Sequence, residues 1–139
     1  MPALLFSATF VASFVATLPA YAADLTIHVD GVASAEGEIK VAIYNSADTF
    51  LSKPLRGVAA PAHAGAVDLK VSGLPAGDYA LAIYHDANAN DKMDRNLVGL
   101  PTEDYAFSNN ALAKRGPPRF GDARIALPES GATTTVNLR

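Results

Sequence analysis

Ten consecutive residues, His85-Asp86-Ala87-Asn88-Ala89-Asn90-Asp91-Lys92-Met93-Asp94, carry most of the chemistry this sequence offers. Counted from Asp86, side-chain oxygens fall at positions 1, 3, 5 and 9, as Asp86, Asn88, Asn90 and Asp94. Calcium takes roughly six to eight hard oxygen ligands, and alternate residues of a tight loop can all point at one centre. Lys92 stands at position 7, where a calcium loop supplies a backbone carbonyl. Two positions depart from that pattern. Position 6 is Asp91 rather than glycine, and position 12 is Leu97 rather than a bidentate glutamate. Glu103 or Asp104 stands a few residues on and supplies the missing carboxylate. The expected metal set is therefore Asp86, Asn88, Asn90, Lys92, Asp94 and Glu103. The expected ion is Ca2+, held weakly, with affinity on the order of 10⁻⁴–10⁻³ M. The same residues also read as a turn without an ion, because Asn and Asp bond their own backbone and tolerate the left-handed conformation. Magnesium fits less well, since it prefers few carboxylates and retained waters. Zinc lacks support, since His28, His63 and His85 have no close ligand spacing.

A hydrolytic reading of the same region uses His85, Asp86 and Glu103. His85 would act as a base beside a carboxylate. Ser108 with His85 and Asp86 or Glu103 would make a triad, but no nucleophile-elbow glycines surround Ser108. The alternative reading of His85 is a half-buried ring that ties the loop to a strand. The residues thus nominate no catalytic set, and a binding role ranks ahead of a small envelope hydrolase.

Strands must position this loop. Leu25, Ile27 and Val29 alternate with Thr26, His28 and Asp30. The same period of two runs through Ile39, Val41 and Ile43, through Val67, Leu69 and Val71, and through Tyr79, Leu81 and Ile83. Ile125 and Leu127 follow in phase, and Val136 and Leu138 close the chain. Period two predicts one buried and one wet face, as in antiparallel sheets, so Lys40 and Lys70 are expected in solvent. Turn residues separate the runs, most clearly Gly73-Leu74-Pro75-Ala76-Gly77. Asp48–Leu51 and Ala111–Lys114 read as single helical turns, too short to pack as helices. The predicted fold class is all-β: one immunoglobulin- or transthyretin-like antiparallel sandwich of about seven strands. From Asp86 to Gly121 the alternation stops, and a loop of that length within a compact domain is usually functional.

The first 22 residues contain no Asp, Glu, Lys or Arg. Their apolar centre, Leu4 to Leu18, is shorter than the ~20 residues a bilayer span needs. The segment ends Ala20-Tyr21-Ala22, the small-x-small pattern of a signal-peptidase site, although it lacks a basic start. The expectation is a signal peptide over residues 1–22 and a single sandwich domain over 23–139, periplasmic or secreted. The chain has no cysteine, so neither disulfides nor a lipid-bearing N-terminal cysteine are expected. The net charge of −3 argues against nucleic acid, which needs a basic patch that neutralises several phosphates. No second apolar run of membrane length follows, so no membrane span is expected after cleavage.

Several segments together resemble the bacterial domain-of-unknown-function family 2141. They are Gly37-Glu38-Ile39-Lys40-Val41-Ala42-Ile43-Tyr44 with Phe50-Leu51, Gly73 to Ala80, and His85 to Asn90. Gly99 to Glu103, Phe107 to Asn110 and Pro118 to Ala123 complete the set. The resemblance implies an exported protein and supplies no activity, substrate or catalytic residue. Gly73 to Tyr79 also looks like a hairpin of transthyretin-like and collagen-adhesin B-type sandwiches, which bears on fold alone. The combined expectation is an exported, non-enzymatic module, calcium-stabilised, that binds an envelope protein or a glycan through its long loop.

Overall fold

Alternating apolar residues fold here as they must when each sheet has one face to bury. A computed structural model describes residues 13, 22–113 and 116–139. The expected leader, residues 1–22, lies outside the described residues except for Ser13 and Ala22. Among the described residues eight strands follow in order: β1 (Ala22–Val32), β2 (Glu38–Tyr44), β3 (Arg56–Pro61), β4 (Gly65–Pro75), β5 (Gly77–Asp86), β6 (Tyr105–Phe107), β7 (Ile125–Leu127) and β8 (Ala132–Asn137). They form a three-stranded sheet, β4-β1-β8, and a five-stranded sheet, β3-β2-β5-β6 with β7 added to β5. The chain is all-β, and the two sheets share one core. Leu25, Ile27 and Val29 of β1 and Leu69 and Val71 of β4 belong to the same buried cluster as Ile39, Val41, Ile43, Leu81 and Ile83. Burying one such side chain contributes about 1.5–3 kcal/mol.

Three expectations need correction. The sandwich is not antiparallel throughout, because β1 and β8 pair in parallel, Leu25 opposite Ala132 through Asp30 opposite Asn137. Two strands carry no periodic signal. In β3 the exposed residues run to Pro61, and only an edge strand tolerates a proline that donates nothing to the ladder. In β6 the three residues Tyr105-Ala106-Phe107 are too few to show a period. The helical turns also fall differently. Of the expected turn Ala111–Lys114, Lys114 lies outside the described residues and Ala111–Ala113 is not helical; a 3-10 turn forms just before it at Ser108–Asn110, and a short helix α1 forms at Phe120–Ala123. The Asp48–Leu51 segment does turn, closed by Ser52 and Lys53 N–H groups donating to the Thr49 carbonyl.

The outer faces of the two sheets differ. On the three-stranded sheet Lys70 reaches solvent and meets Asp24 at 3.2 Å. There His28 Nε2 meets Asp30 at 2.9 Å and Nδ1 meets Asp68. The Asp68 hydrogen bond is the main cause that raises the His28 pKa. On the five-stranded sheet Lys40 is not free in solvent. Its ammonium bridges Glu38 at 2.8 Å and Asp91 at 2.7 Å. Asp91 first, then Glu38, hold it above its ordinary pKa. Asp91 lies in the long loop, so this face is covered rather than wet.

Candidate functional site

The loop after β5 is built from its own hydrogen bonds. Asp86 is fully buried, and its carboxylate accepts the N–H groups of Asn90 at 3.2 Å and Asp91 at 2.8 Å. Ala89 and Asp91 take left-handed φ values of 53° and 63°. Each asparagine then bonds the backbone two residues on. Asn88 Oδ1 accepts Asn90 N–H at 3.4 Å, and Asn90 Oδ1 accepts Lys92 N–H at 3.1 Å. Their amide NH2 groups converge on Asp94, at 2.6 Å from Asn88 and 2.7 Å from Asn90. Asn90 first, then Asn88, hold the Asp94 carboxyl below its usual pKa. Glu103 accepts the Asp94 N–H at 3.3 Å. Burial pushes the Glu103 pKa up, and the Asp94 and Asp86 charges add to the rise.

Thus Asp86, Asn88, Asn90, Asp94 and Glu103 meet in one network, while Lys92 enters it through its backbone N–H. Among the described residues no three of His, Cys, Asp and Glu are grouped so as to hold a metal ion. A cation here needs asparagine and carbonyl oxygens as well. In the structure both asparagine oxygens accept backbone N–H groups, which is the chemistry of an Asx turn.

The hydrolytic set is not brought together. His85 faces the core, 4% exposed, and its Nε2 donates to the Glu36 carbonyl at 2.6 Å. Asp86, the next residue of the strand, projects to the opposite face. Ser108 is fully buried; its hydroxyl accepts Leu81 N–H at 2.9 Å and donates to the Ala123 carbonyl. These are structural ties. They fix the loop and the 3-10 turn against β5.

The site that sequence reasoning missed lies on the outer face of the five-stranded sheet. Ala42 pairs with Ala82, and Ala82 with Phe107, so two small side chains make a floor at the centre of the sheet. Tyr44, Tyr84, Tyr105 and Phe107 rise around that floor from β2, β5 and β6. Met93, Leu100 and Pro101 of the long loop face them, with Leu112 and Pro118 from the later connection. Between floor and loops is a cleft of about 620 Å³. That volume is ample for a small organic ligand, since such sites hold roughly 300–1,000 Å³. The walls are braced from behind. Phe50 packs edge-on against Tyr44, Phe107 and Phe120, with ring centroids 5.3, 6.3 and 5.9 Å away. Burial raises the Tyr44 phenol pKa; burial, followed by the Asp86 charge, raises that of Tyr84. Both remain neutral phenols at ordinary pH. The signal was present in the outward positions Ala42, Tyr44, Ala82 and Tyr84, which are apolar or aromatic where a wet face would be polar.

Among the described residues no helix is long and apolar enough to cross a membrane. A family model described as an uncharacterized protein conserved in bacteria matches residues 27–136, from within the first strand to within the last. No curated protein and no solved structure matches the chain.

Proposed function

The chain belongs to DUF2141, a family of uncharacterized proteins conserved in bacteria, and since that membership carries no activity we propose a function from the site itself: a small-ligand-binding module of the cell envelope. One observation carries this reading. The outer face of the five-stranded sheet is aromatic, floored by alanines and roofed by loops that stop short of filling it. An apolar face that the fold neither buries nor leaves polar is a binding surface in the usual case. The engagement of His85 and Ser108 with backbone groups supports binding rather than catalysis. Export to the periplasm or the medium is part of the proposal, and the charge-free apolar segment with Ala20-Tyr21-Ala22 supports it. Ala22 opens β1 opposite Pro75, so cleavage after Ala22 would take one residue from the start of that strand.

The test is titration with a neutral fluorescent probe, 1-aminoanthracene. The expected result is saturable binding of one probe per chain. Ala82→Phe and Ala42→Phe each put a ring in the cleft and are expected to abolish it while circular dichroism stays that of the parent. Binding that survives both substitutions, or no saturable binding at all, overturns the reading.

A second reading concerns calcium at the loop. The observation that favours it is the crowding of Asp94 and Glu103, with Asp86 near enough to raise the Glu103 pKa further. A divalent cation relieves that repulsion, and asparagine amides that turn over present Oδ1 in place of NH2. A ligand specific for the folded state at ten times its Kd stabilises it by about 1.4 kcal/mol, a few degrees in melting temperature. Asp86→Ala is expected to remove this increment and Asp48→Ala to keep it, both at fixed ionic strength. Identical melting curves in calcium and in chelator contradict the calcium reading and leave the self-bonded turn.

A further inference from the structure

We infer that the cleft selects an anionic amphiphile, an apolar body bearing one carboxylate or phosphate group, and that Arg95 is the residue that reads the charge. This rests on the cleft reading above. Among the described residues lining the cleft, Arg95 carries the only charged side chain. Its position is fixed by a closed turn. Arg95 bridges Pro101 across the turn, and Nη1 donates to the Gly99 carbonyl at 3.1 Å. Asn96 closes the turn from both sides. Its N–H donates to the Leu100 carbonyl at 2.8 Å, and its Oδ1 accepts Val98 and Leu100 N–H at 3.1 and 3.0 Å.

One contact leaves most of the guanidinium donors unused. Among the described residues no carboxylate pairs with Arg95. Four of the loop's acids are engaged elsewhere: Asp91 with Lys40, Asp94 with two amides, Asp86 and Glu103 with backbone N–H groups; the remaining one, Asp104, makes no ion pair with Arg95. A guanidinium without an internal counter-ion, at the rim of an apolar cleft, takes a planar or tetrahedral oxyanion through paired N–H bonds. Among the described residues, the other side chains that line the cleft are apolar apart from the tyrosine hydroxyls. The chain as a whole is negative, at −3, so the preference for an anion must be local to this rim.

The experiment is displacement of bound 1-aminoanthracene by four compounds with one decyl body: decanoate, decyl phosphate, 1-decanol and decylamine. Decanoate or decyl phosphate is expected to displace the probe at a concentration about tenfold or more below that of 1-decanol, as a charge-assisted hydrogen bond gives. Whichever acid is stronger identifies the oxyanion. Decylamine is expected to be weakest. Arg95→Gln is expected to close the gap between the acids and 1-decanol, both measured on the same variant. Equal displacement by acid and alcohol in the parent protein overturns the assignment and leaves the cleft reading standing. An acid preference that survives Arg95→Gln overturns the role of Arg95. Failure of the probe to bind overturns the cleft reading as well.

Discussion

Gly37→Ala is expected to destabilise the protein by about 3–5 kcal/mol, enough to remove much of the stability of a domain this size. Gly37 closes the turn between β1 and β2 at φ 67°, a conformation that costs a residue with a side chain. Space is the larger obstacle. A Cβ there would stand 1.9 Å from the Asp86 carbonyl oxygen and 2.9 Å from backbone atoms of Ala87. Those atoms begin the long loop, and backbone cannot swing aside as a side chain tip can. The Gly37 carbonyl also accepts Ala62 N–H at 3.1 Å, so a shift would be felt in the chain after β3. Gly73→Ala is the control. Gly73 has a similar φ of 78° but open space around it, so only the backbone strain remains, about 1–2 kcal/mol. Denaturant midpoints of the two variants separate the terms. Equal losses would mean that the turn does not pack on the loop as described.

Leu81→Ala is expected to lose about 2–5 kcal/mol, because it deletes buried methyls and leaves a cavity between the sheets. Leu81 is fully buried at the middle of β5, opposite Ile43, and its N–H is held by Ser108. A cavity there touches the core and loosens the support of the 3-10 turn together. Lys70→Ala on the other sheet removes only an exposed pair with Asp24 and is expected to change stability by less than about 1 kcal/mol. An unchanged midpoint for Leu81→Ala would contradict the assignment of β5 to the core.

The contrast between Leu81 and its neighbour Ala82 shows what the sequence could and could not convey. Period two identified Leu81 and Ile83 as inward, and both are buried. The same rule assigned Ala42, Tyr44, Ala82 and Tyr84 to a wet face. That inference fails because alternation marks which residues share a face, not what covers it. The covering comes from residues distant in sequence: Asp91 pairs with Lys40, and Met93 and Leu112 line the same cleft as Ala42 and Ala82. Edge strands escape for a related reason. The residues of β3 are mostly exposed, so no buried row imposes a period on them. The Asp/Asn loop was legible as a compact, oxygen-lined turn, because Asp86, Asn88 and Asn90 act within a few residues of themselves. The direction in which each amide points was not, since it depends on Asp94 and on Glu103 further along the chain.

The central claim is that ligand enters between the outer face of the five-stranded sheet and the loops above it. Amide and methyl NMR shifts on titration with 1-aminoanthracene test this most directly. The account predicts shifts at Ala42, Ala82, Tyr84, Leu100, Phe107 and Leu112, with Thr26, His28 and Thr135 on the opposite sheet unmoved. Shifts concentrated on β1, β4 and β8, or none at saturating probe, would contradict it.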